Sequence, residues 1–114
     1  MKYAIYQVAL TKSEIDTINS EGHDAVPRHA MKLKMDFSED AGGIASRMYG
    51  QGYYDHVANI TASDLEGVFH VGNMGPEENI ERLHNMHSVS VGDLIIDESG
   101  NKNVVASVGF KEVF

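Results

Sequence analysis

The sequence predicts an α+β domain: a small, mostly antiparallel sheet packed with several short helices. Three observations predict it. The chain opens on "YAIYQVAL" (3–10), rich in aromatic and β-branched residues. It closes on two apolar runs either side of Ser99-Gly100-Asn101, the signature of a β-hairpin. Between these ends, helix-start and helix-stop signals recur at close spacing, with one strand-like stretch among them.

The elements come in this order. Residues 3–10 form the first strand. Thr11 and Glu14 make a capping box, in which each side chain satisfies a free backbone N–H of the other's turn. Ile15 and Ile18 share one face of the ensuing helix, and Gly22 ends it. Pro27 suits the first turn of a second helix through "RHAMKLKMDF", since its missing N–H costs nothing there. "MKLKMDF" also alternates like a strand, but the helix is preferred. "SEDAGGIASRMYGQG" is expected as a frayed helix or a mobile loop, because Gly42 and Gly43 each cost about 1 kcal/mol. "YYDHVANI" (53–60) is the central strand. Thr61 or Ser63 then caps a helix with Leu65, Val68 and Phe69 on one face and Gly72 as its stop. "PEENIERLH" is expected as a last helix, its acids favoured by the helix dipole. The C-terminal β-hairpin completes the sheet.

With 114 residues the chain suits one domain, 1–114, able to bury a core without staples. It has no cysteine, so disulfide frameworks and thiolate metal sites are excluded. No apolar run approaches the roughly 20 residues of a membrane span, and the N-terminus lacks a signal-peptide pattern. A cytoplasmic location is expected. The net charge of -8 argues against general attraction to phosphate backbones. Its 17 acids are scattered, as on a solvated surface.

Chemistry concentrates at "RLHNMHSVSVGDLII" (82–96). A metal- or Ser/His-dependent hydrolase would centre on His84, His87, Ser88 and Asp93. His84 and His87 are three apart, whereas a helical zinc pair prefers four, and no Glu lies between them. His56 and His70 lie on other elements and would have to converge on them. Ser88 and Ser90 are flanked by valines, which suit an extended chain rather than the sharp turn of a nucleophile elbow. In that reading Val89 and Val91 face one side and Ser88 and Ser90 the other. Gly92 supplies an unusual backbone conformation and Asp93 bonds nearby N–H groups. The stretch therefore reads as a backbone device leading into the hairpin, with no catalytic residue, metal or cofactor assigned. A nucleic-acid surface would use the basic cluster Arg28, Lys32 and Lys34, set in an otherwise acidic chain.

The motif His87, Ser88, Ser90, Val91, Gly92, Asp93, then Gly100, Gly109 and Phe110, resembles the ending of small bacteriophage and mobile-element proteins. There a histidine-serine-x-serine-valine-Gly-Asp stretch precedes two strands and a terminal Gly-aromatic step. YodL-like domains share the same ending. The phage-type likeness extends through "YYDHVANITASDLEGVFHVGN" and, more loosely, to "KYAIYQVALT". It implies an accessory protein in a bacterial cell and no catalytic residues. The expected function is a non-enzymatic protein-binding module that docks on a bacterial host or defence protein. Self-association into a homo-oligomer is a second option, nucleic acid is disfavoured, and no membrane partner is expected.

Overall fold

The computed structural model describes residues 1–113. Six antiparallel strands form one sheet: β1 (Lys2–Gln7), β2 (Asp55–Thr61), β3 (Ile80–Arg82), β4 (Leu94–Ile96), β5 (Lys102–Val105) and β6 (Phe110–Val113). Their spatial order is β3-β2-β1-β4-β5-β6. Four α-helices join them: α1 (Lys12–Glu21), α2 (Pro27–Lys34), α3 (Ala41–Gly50) and α4 (Leu65–Met74). The α+β class is as the sequence predicts, with the N-terminal strand central and the C-terminal strands on one side of it.

Alternation along the strands feeds two cores. Tyr3 and Ile5 of β1, Val57 and Ile60 of β2, Ile95 of β4 and Val105 of β5 pack with Val68 and Val71 of α4. On the opposite face Leu94, Val104 and Val113 pack with Met35 and with Ala41, Ile44, Ala45 and Met48 of α3. Both layers therefore hang on the same strands, one face each.

The capping box of α1 forms as expected, with Gly22 as its C-cap. Helix wins over strand for the second element: Pro27 sits in its first turn, and 35–37 turn out of it. Several expectations need correction. The stretch 41–50 is a packed helix rather than a frayed or mobile one. Asp40 caps it at the Gly43 N–H (3.2 Å), and four of its side chains are buried. A β-carbon on Gly42 would lie 2.6 Å from the Glu112 carbonyl oxygen, so glycine lets α3 close onto β6. The cap of α4 is Asp64, not Thr61 or Ser63, and the helix runs through Gly72 to Met74. Gly72 is a packing residue: a β-carbon there would meet Val89 Cγ2 at 2.2 Å. Phe69 is 41% exposed, and the buried face of α4 carries Val68 and Val71.

"PEENIERLH" is not a helix. Glu77–Asn79 is a single 3₁₀ turn and Ile80–Arg82 is the edge strand β3, with Ile80 opposite Ile60 and Glu81 opposite Asn59. Ile80 and Leu83 alone give a helix too little apolar face, and the open edge of β2 takes the backbone instead. An Arg82–Glu77 ion pair closes the turn. Finally, Val89 is buried and Ser88 exposed as predicted, but Ser90 and Val91 are both half-buried, because the chain already turns at 90–93, and the stretch pairs with no strand. Within the second arm of the hairpin, Gly109 at φ +69 turns β5 into β6.

Candidate functional site

The segment 83–93 lies against the end of β1, and Gln7 and Asp93 hold it there. Tyr3, Ile5 and Gln7 share one face of β1, so Gln7 occupies a core position and is fully buried. A buried amide must find partners. Gln7 Nε2 donates to the His87 carbonyl (2.9 Å) and to Asp93 Oδ2 (3.0 Å), and Gln7 Oε1 accepts from the His87 N–H (3.1 Å). Asp93, also fully buried, accepts the Ser90 N–H at Oδ2 (2.9 Å). Gly92 between them adopts φ +94, and its carbonyl accepts from the buried Tyr54 hydroxyl (2.7 Å). The predicted backbone device is therefore present.

Asp93 Oδ1 accepts no hydrogen bond and faces Lys32 Nζ at 3.4 Å. Burial pushes the Asp93 carboxyl above its ordinary range, and Lys32, the Ser90 N–H, His87 and Gln7 oppose that shift. Lys32 also lies 3.3 Å from His87 Nε2. An ammonium has only donors, so Nε2 accepts, and Nδ1 carries the ring proton and donates to the Ser88 carbonyl (2.8 Å). These contacts are those of the Nδ1–H tautomer. Its Nδ1 stands 4.0 Å from Asp93 Oδ2, too far for a hydrogen bond.

The other sequence-selected residues do not join this group. His84 is exposed in a shallow depression lined by 82–86, while His87 and Ser88 line a different one beside Gly75 and Glu77. His56 stacks on Tyr6 (centroids 4.8 Å apart) and bonds Asn59, and His70 is exposed on α4. Among the described residues no three His, Asp or Glu side chains converge as metal ligands. The basic trio also separates. Arg28 gives all five of its N–H groups to Glu14, Asp55 and the carbonyls of Ala9 and Tyr53, which ties α1 and α2 to β2. The paired guanidinium holds the Glu14 carboxyl at about 2. Lys32 covers Asp93, and Lys34 is exposed at the end of α2.

A second feature lies on the α4 face of the sheet. α4 packs over β2, and Val89 and Val91 join the same apolar cluster beside Ile95, Val105 and Phe110 of β4–β6. A groove of about 430 Å³ lies between α4 and the β5–β6 turn. Phe69, Val89, Val91, Val105 and Phe110 line it, Glu66 stands at its rim, and Ser90 and Ser107 add hydroxyls. Val108, in the adjoining turn, is 84% exposed. No family model, curated protein or solved structure matches the chain. No helix among the described residues is long and apolar enough to cross a membrane.

Sequence reasoning located Gly92 and Asp93 but missed Gln7, Tyr54 and the groove. Gln7 had a signal: it is a polar residue at the third inward position of an otherwise apolar strand face.

Proposed function

We propose that the protein is a non-enzymatic binding module of phage or mobile-element type, acting on a host or defence protein inside a bacterial cell. The observation that carries the reading is the apolar groove between α4 and the β5–β6 turn. Its size and lining suit a site that takes apolar side chains from a partner. Glu66 is the charged residue at the rim, and the chain as a whole carries -8. The occupant is accordingly a short apolar segment of a partner protein with a Lys or Arg beside it. The buried Gln7–Asp93 pair supports the same reading from the other side. Its polar atoms are turned inward to hold the loop whose Val89 and Val91 form the groove wall.

The test is selection of random peptides on the immobilised protein, followed by ¹H–¹⁵N NMR with a selected synthetic peptide. The reading expects enriched sequences that combine large apolar residues with a basic one. Amide shifts should gather at Val89, Val91, Val105 and Phe110. Absence of enrichment, or shifts confined to 82–88, would remove the groove as the binding face.

A further inference from the structure

We propose that His23 and His29 form an open, two-imidazole site for a divalent transition-metal ion of the zinc type. His23 starts the 3₁₀ turn His23–Ala25, and His29 stands in the first turn of α2. Val26 caps that helix, accepting the His29 N–H at its carbonyl (3.1 Å), so turn and helix hold the two residues in a fixed relation. The rings lie 5.2 Å apart between centroids, tilted by 35°. His23 Nδ1 and His29 Nε2 point at each other across 3.0 Å.

Between neutral rings this contact is one hydrogen bond, with one nitrogen carrying the proton and the other the lone pair. Among the described residues neither ring bonds any other polar side chain or backbone group. Each ring is thus free to move its proton to its far nitrogen, which turns both facing lone pairs toward one point. Zinc–imidazole bonds are about 2.0–2.1 Å, so two nitrogens on a tetrahedral ion stand roughly 3.3–3.4 Å apart. From 3.0 Å that requires an opening of a few tenths of an ångström. His23 is exposed and His29 half-buried, so an ion reaches the pair without the fold opening. Among the described residues no third His, Asp or Glu converges here, so water completes the coordination. The site is therefore open to exchange, unlike a closed structural zinc centre. Imidazole donors suit zinc, copper and nickel over magnesium or calcium. Burial, His23 and Lys32 together lower the His29 pKa, which favours the neutral ring that offers a lone pair.

The experiment is a zinc chloride titration of the full, untagged chain at about pH 7.5, where imidazoles are neutral. Binding is read by calorimetry and by ¹H–¹³C NMR of the histidine rings. The expected result is saturable binding of one ion per chain, with the ring signals of His23 and His29 moving together. His23→Gln and His29→Gln should each weaken binding by at least about tenfold, while His84→Gln and His87→Gln leave it unchanged. Two outcomes overturn the proposal: rings of His23 and His29 that stay still up to about 1 mM zinc, or full affinity in either single variant. The wild-type ring signals decide the matter even if a variant folds poorly.

Discussion

Replacing Gly92 probes the 83–93 segment at its tightest point. The residue sits at φ +94, where an L side chain is strained by about 1–2 kcal/mol. A β-carbon there would also meet Lys32 Cγ at 2.8 Å. That atom belongs to the stem of Lys32 rather than its tip, so the side chain must move bodily. Lys32 Nζ is the cation facing the buried Asp93 Oδ1, and removing one partner of a buried pair costs about 3–5 kcal/mol. Partial retention of the pair gives about 3 kcal/mol in all for Gly92→Ala, and more for Gly92→Val. Gly100 is the control. It has φ +87 but nothing within 4 Å of an added β-carbon, so Gly100→Ala should cost only the backbone strain, about 1 kcal/mol. Urea unfolding of the three variants measures the difference. The penalty at Gly92 should also shrink toward acid pH. Burial raises the Asp93 pKa above its unfolded value of 3.8, so its ionisation costs stability as pH rises from there, and most where Lys32 is displaced. If Gly92→Ala costs no more than Gly100→Ala, the steric and ionic parts of this reasoning are wrong. A Gly92→Val variant as stable as wild type would refute the whole of it.

Other predictions concern the polar ties. Lys32→Met should destabilise by about 3 kcal/mol at neutral pH by leaving Asp93 uncompensated, and adding Asp93→Asn should recover part of the loss, as a double-mutant cycle would show. Arg28→Lys should cost about 2–3 kcal/mol in thermal or urea melts, since an ammonium cannot reproduce five planar N–H bonds to four groups. Glu14 should titrate near 2 by carboxyl NMR, against a usual 4.5. Its folded pKa is depressed, so its contribution is present above 4.5 and is lost as pH falls toward 2. With its side chain 26% exposed, solvent screening trims that contribution to about 1–2 kcal/mol, which Glu14→Gln should remove at pH 7.

Local signals were legible wherever local chemistry decides. The Thr11–Glu14 box, Pro27 in a first helical turn and the turn at 97–101 need only neighbours in sequence, and all three appear. The Gly92-Asp93 device was legible for the same reason. What misled was glycine, and segments decided by distant partners. Gly42 and Gly72 look like helix breakers, yet each clears space for another segment, β6 and Val89 respectively. Glu77–Arg82 carries the acids of a helix start, yet the free edge of β2 claims its backbone. Arg28 looks like part of a basic patch, but three partners far along the chain consume it. Gln7 binds His87 across 80 residues, a pairing no local pattern encodes.

If the protein binds through the apolar groove and uses its polar constellation to hold shape, the affinity of one selected peptide for two variants shows it most directly. Phe69→Gln removes an aromatic wall residue that is already 41% exposed, so folding should persist. The double variant His87→Ala, Ser88→Ala strips the exposed polar side chains of the motif and leaves the groove wall in place. Phe69→Gln should weaken binding by roughly tenfold or more, the usual scale for an aromatic anchor, while the double variant binds like wild type. Full affinity in Phe69→Gln together with loss in the double variant would contradict binding through the groove.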